Sequence, residues 1–99
     1  MNILLVCAAG ASTSIVVNNI KKELDESEKD WVIEAKSSST VKEVAGKYDI
    51  ILVAPQVRFQ RSMIEKICQP LGVKVLSIDP VDYGMSNGKN ILNQIRKNI

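Results

Sequence analysis

Ninety-nine residues with 45% apolar content give one small domain with room for a single, mainly aliphatic core. A formal net charge of +2 sets no requirement for nucleic acid or an anionic membrane. Two cysteines and no histidine rule out a disulfide framework and Cys–His or Ser–His nucleophilic pairs, and they argue against a zinc site.

The chain opens on Ile3-Leu4-Leu5-Val6, a short and fully apolar run that fits a strand buried on both faces of a parallel sheet. No basic residue precedes Cys7, so this start does not read as a secretion signal. No run approaches the roughly 18 apolar residues of a membrane span. The chain reads as reduced and cytoplasmic. The strand stops at Cys7, passes through Ala8, Ala9, Gly10 and Ala11, and enters Ser12-Thr13-Ser14, residue types that cap helices. Such a strand–tight loop–helix unit aims its amides and a positive helix end at one point, which makes an anion site. A thiol at that rim becomes a nucleophile, so Cys7 is expected to be exposed and ionisable.

Val16, Val17, Ile20 and Leu24 recur at helical spacing, and the helix should end in the charged stretch 25–30. From Trp31 to Lys36 the residues alternate, with Trp31, Ile33 and Ala35 on one face, as in an edge strand. Residues 37–40 then offer N-caps for a short helix carrying Val41, Val44 and Ala45 and stopping at Gly46. A second buried strand spans 49–54, ended by Pro55. Beyond it come a loop and a helix with Phe59, Met63, Ile64 and Ile67 inward and Cys68 as core filling. The last strand covers 73–78, with Asp79-Pro80 as its stop. Tyr83-Gly84 and Ser86-Asn87-Gly88 read as turns. Ile91, Leu92, Ile95 and Ile99 mark a final amphipathic helix.

This alternation predicts an α/β fold: a four-stranded parallel sheet with right-handed crossovers and helices on both faces, in three layers. Ligands of such sheets sit outside the carboxyl ends of the strands, where Cys7 lies.

Gly10 is the only glycine of the loop, so the dinucleotide fingerprint is absent, and the ATP-type phosphate loop lacks its lysine. The combination Cys7-x-x-Gly10-x-Ser12-Thr13-Ser14 is far more specific. It resembles the phosphocysteine loop of enzyme IIB components of the bacterial sugar phosphotransferase system, lactose/cellobiose/chitobiose class. Pro55-Gln56, Tyr83-Gly84, the length and the element order extend the resemblance over the whole chain; Ala11, often Met in the class, is the small departure.

The resemblance implies one IIB domain over 1–99 and a sheet of order 2-1-3-4, as in low-molecular-weight tyrosine phosphatases. It also implies a phosphoryl relay. A phosphohistidine of a IIA protein would donate to Cys7. Cys7 would pass the group to a sugar on the membrane IIC partner, a β-linked disaccharide such as cellobiose, chitobiose or lactose. Ala8, Ala9, Gly10, Ala11, Ser12, Thr13 and Ser14 would hold the phosphoryl group, with no cofactor and a monomer as the default. The alternative is a phosphatase-like hydrolase using Cys7 and Asp79. The loop, however, has Thr13 where such enzymes carry the arginine that clamps a phosphoryl group. Arg58, Phe59 and Arg61 are candidate partner contacts.

Overall fold

The computed structural model describes residues 1–8 and 12–99. Four strands, β1 (Asn2–Cys7), β2 (Val32–Ser37), β3 (Ile50–Val53) and β4 (Lys74–Ser77), form one parallel sheet of order β2-β1-β3-β4. The two apolar runs take the central places. Ile3 to Cys7 and Ile50 to Val53 are all buried, because strands with neighbours on both sides and helices on both faces leave no solvated side. Each of these Ile, Leu and Val side chains contributes roughly 1.5–3 kcal/mol of burial.

The path leaves β1 to one side to reach β2, then crosses back to β3 and on to β4. With right-handed crossovers, the first connecting helix therefore lies on the face opposite the next two. The first is α1 (Ser12–Lys22); the others are α2 (Val41–Val44) and α3 (Arg61–Cys68). Val16, Val17 and Ile20 face the sheet from α1. The helix ends at Lys22, so Leu24 packs from the turn beyond it. That turn closes with a capping box: Asp25 accepts from the Ser27 N–H, and Glu28 accepts from the Asp25 N–H.

After β4 come two helices, not one: α4 (Pro80–Gly84) and α5 (Gly88–Lys97). Tyr83-Gly84, expected as a turn, are helical. Asp79 caps α4 by accepting from the Val81 and Asp82 N–H groups, and Pro80 occupies the first turn. Asn87 caps α5 through the Asn90 N–H, and Ile91, Leu92 and Ile95 are buried. Ile99 lies past the helix end and is 58% exposed, against expectation. The α5 helix rests on α1 at a very close approach. A Cβ on Gly88 would stand 2.3 Å from the Asn19 carbonyl carbon and 2.6 Å from the Ile20 nitrogen. The Asn19 carboxamide also donates to the Ser86 carbonyl at 2.9 Å, and Ser86 takes a left-handed φ of 51°. A half-buried ion pair fixes the other end of α5. Arg96 donates to both carboxylate oxygens of Glu28, at 2.8 and 2.5 Å.

Three other expectations fail locally. Ala35 is exposed and only Ile33 of β2 is buried, because this edge strand has half a cover. Phe59, at 76% exposure, and Met63 point outward. Residues 55–60 form a 3-10 segment kinked at Val57, and that turns the face inward at Val57 instead. At the β4 margin, Lys74 and Ile78 donate their N–H groups to the Asp49 and Val53 carbonyls, so the Val75 and Ser77 carbonyls point away from the sheet. The Arg61 guanidinium donates to the first and the Gln94 carboxamide to the second.

Candidate functional site

Cys7 is the last residue of β1, with β2 on one side and β3 on the other. Val6 is in register with Lys36 and with Val53, and Cys7 with Ser37. The Val6 carbonyl accepts from the Ala54 N–H at 3.0 Å, so the β3 strand end is tied directly beside it. The expected exposed thiol is not what the structure holds. Cys7 is 4% exposed, and its S–H donates to the Lys36 carbonyl at 3.7 Å. The reason is its place on the central strand: a small, weakly polar side chain there packs between layers and takes the nearest strand carbonyl. Ala8, the next residue, is exposed.

Helix α1 begins at Ser12 with no acidic side chain in its first turn, so nothing on the helix neutralises its positive end. Thr13 in that turn is 2% exposed, and its hydroxyl has no hydrogen-bond partner among the described residues. Leaving a buried hydroxyl unpaired costs about 1–3 kcal/mol. Ser14 is exposed. Of the other residues expected to hold phosphate, Ala9, Gly10, Ala11 and the Ser12 side chain lie outside the described residues.

The remaining candidates separate. Arg61 is committed within the fold: it pairs with Glu65 and donates to the Ser77 hydroxyl at 2.6 Å. Arg58 and Phe59 are exposed. The Asp79 carboxylate is spent on capping α4. Tyr83 donates to the Gln56 carboxamide oxygen at 3.4 Å, which brings together the two motifs that follow β3 and β4. Cys68 is fully buried, and burial pushes its thiol pKa up, as befits core filling. A polar cleft of about 560 Å³ runs along β4 and α5, lined among others by Asp79, Asp82 and Asn93, and Cys7 is not part of it. Sequence reading missed the Lys36 carbonyl, a backbone group that only strand register could reveal. Among the described residues no cluster of three or more metal-ligating side chains occurs, and no helix is long and apolar enough to cross a membrane.

Comparison with known proteins gives this geometry a family. The chain is 39% identical over 95 residues to the galactose-specific EIIB component of Lactococcus lactis, covering 91% of this chain and 88% of that one. The solution structure of a cellobiose-specific IIB component from Borrelia burgdorferi superposes with a TM-score of 0.75 at 41% identity, covering 94% of this chain and 85% of the other. The lactose-specific IIB domain of Streptococcus pneumoniae gives a TM-score of 0.85 over 98% of this chain and 95% of its own; at 19% identity it speaks to the fold alone. Residues 2–94 match the family described as "PTS system, Lactose/Cellobiose specific IIB subunit". With a strand-end cysteine before a helix start, in a sheet of order 2-1-3-4, the chain belongs to that IIB family and is a phosphotransferase component of the sugar phosphotransferase system.

Proposed function

We propose that Cys7 is the phosphoryl carrier of this IIB component, charged by the phosphohistidine of a IIA protein and discharged onto a sugar held by the membrane IIC component. The observation that carries this reading is the position of Cys7, at the carboxyl end of the central strand and ahead of a helix whose first turn holds no acidic side chain. That helix end offers partial positive charge to a dianion. The backbone of Ala8, Ala9, Gly10 and Ala11, with the hydroxyls of Ser12, Thr13 and Ser14, holds the three non-bridging oxygens, and the in-line positions stay open to donor and acceptor.

In the charging step the N–P bond of the donor imidazole breaks and an S–P bond forms at Cys7; the thiol proton ends on the imidazole nitrogen. In discharge a sugar hydroxyl attacks phosphorus, the S–P bond breaks, and the hydroxyl proton returns to sulfur. Residues 1–99 hold no histidine, so the donor imidazole comes from outside them. The absence of a guanidinium in the loop suits a carrier, whose phosphothiol has to outlast its wait for a partner.

The sugar is a β-linked disaccharide such as cellobiose, chitobiose or lactose, chosen by the IIC partner. The carrier is cytoplasmic and works as a monomer, which leaves its Cys7 end free to meet two partners in turn. Incubation with the phosphorylated IIA donor should put one thiol-linked phosphate on Cys7, and Cys7→Ser should reduce labelling to background. Undiminished label on the Cys7→Ser protein would reject the assignment.

A further inference from the structure

We infer that the cleft along β4, α4 and α5 is a second binding site, built for an uncharged, polyhydroxylated ligand of the saccharide class. Cys7 takes no part in it, so the two sites stand or fall separately.

A cavity of about 560 Å³ lies in the range of small-molecule sites. What marks this one is how its polar side chains are held. Each carboxamide has one end used inside the fold. Gln94 donates through Nε2 to the Ser77 carbonyl and Asn90 through Nδ2 to the Asp82 carboxylate, while the Asn93 Oδ1 accepts from Arg96. Those bonds fix the side chains and leave Gln94 Oε1, Asn90 Oδ1 and the Asn93 amide hydrogens unspent. The carboxylates follow suit. Asp79 caps α4 and Asp82 receives Asn90 through Oδ1 alone, so both Oδ2 atoms remain to accept. Lys97 adds an ammonium that forms no ion pair among the described residues. Groups already held in place lose little freedom when a ligand arrives.

The class of ligand follows by elimination. An anion would face two carboxylates with one ammonium to offset them. A simple cation would meet that ammonium and give the Asn93 amide nothing to donate to. An apolar molecule would find only Ile78 and Pro80 for company and would strip water from every polar side chain around them. A ring of hydroxyls answers all three objections. Each hydroxyl both donates and accepts, so it can serve the unspent oxygens and the two donors while bringing no ionic charge of its own. No aromatic ring lines the cleft, so stacking adds nothing and binding is weak, with a Kd of ~1–10 mM.

The test is a titration of the full, nitrogen-15-labelled chain with cellobiose to ~50 mM, above the expected Kd. Saturable shifts should centre on the side-chain amides of Asn90, Asn93 and Gln94 and on the backbone amides of Asp82 and Lys97. Lys97→Ala, at an exposed position, should raise the Kd at least ~5-fold, as loss of one hydrogen bond requires, while the variant still accepts phosphate from the IIA donor at the unaltered rate. Shifts that are absent, or that grow linearly and scatter over the surface, would overturn the site. Saturation by sodium phosphate or ethylammonium chloride but not by cellobiose would overturn the ligand class. An unchanged Kd in Lys97→Ala would remove the sugar from this cleft. Failure of labelling at Cys7 would count against the carrier and not against the cleft.

Discussion

A hydroxyl is the most informative atom group outside the thiol. Thr13 is held in the interior with nothing to bond to among the described residues, a debit that core packing alone gives no reason to keep. Thr13→Val keeps the branched shape and deletes that debit. It should therefore stabilise the uncharged protein by about 1 kcal/mol, read as a higher urea midpoint, and, on the proposed carrier reading, shorten the lifetime of the phosphocysteine. A purely structural threonine would show the first change without the second. Residue-scale features were only partly legible in the sequence. Cys7 stands out as a candidate from its neighbours, since it closes an apolar run and leads into Ser-Thr-Ser. Its covered state was not legible, because the group that covers it belongs to the backbone of a strand 29 positions away.

Among the elements, the contact between α1 and α5 is the most demanding. Gly88 lets the start of α5 touch the α1 backbone at Asn19 and Ile20. An added methyl has nowhere to go, because the atoms it meets are main chain and do not swivel away. Gly88→Ala should cost about 3 kcal/mol or more, beyond the ordinary overpacking range, because two helices must part. For a chain of this size that lowers the melting temperature by at least ~12 °C in a thermal scan. An unchanged melting temperature would mean the helices sit farther apart than described.

The same scale shows where pattern reading fails. β1 and β3 were readable because a fully apolar strand needs no phase to be assigned. Phe59 and Met63 were misplaced because the kinked 3-10 segment resets the phase at Val57, and no 3.6-residue period survives that. Tyr83-Gly84 were misjudged although Asp79-Pro80 before them is a helix-start signal as well as a strand stop; a five-residue helix is too short for periodicity to outvote a glycine.

For the molecule as a whole, the pairing of Glu28 with Arg96 joins the last helix to the turn after the first. The Arg96 guanidinium, bonded to both carboxylate oxygens, holds the Glu28 pKa down from 4.5 to about 2 against the opposing effect of burial. A depressed carboxyl stabilises the folded state above its unfolded pKa and loses that contribution as pH falls through the folded one. Stability should therefore be flat in this respect above about pH 5 and decline from there toward pH 2. Glu28→Gln should remove that part of the acid slope and cost ~1.5–3 kcal/mol at neutral pH, the range for hydrogen bonds to charged groups. Chemical denaturation across the pH series checks both. A slope identical in the variant would place the acid sensitivity elsewhere. The three-layer plan was legible from β-α alternation and crossover handedness, whereas the strand order followed only from the family resemblance. The ion pair was not, because 68 positions separate its partners.

The side chains of Arg61 and Gln94 over the β4 backbone bear on how this protein behaves in crowds of its own kind. An exposed parallel margin is a template on which foreign strands crystallise into fibrils. Here any newcomer must first evict a guanidinium and a carboxamide, rehydrating one and disordering both, before its first ladder bond closes. Lateral growth from that flank is thus discouraged by two polar side chains rather than by a proline or a bulge.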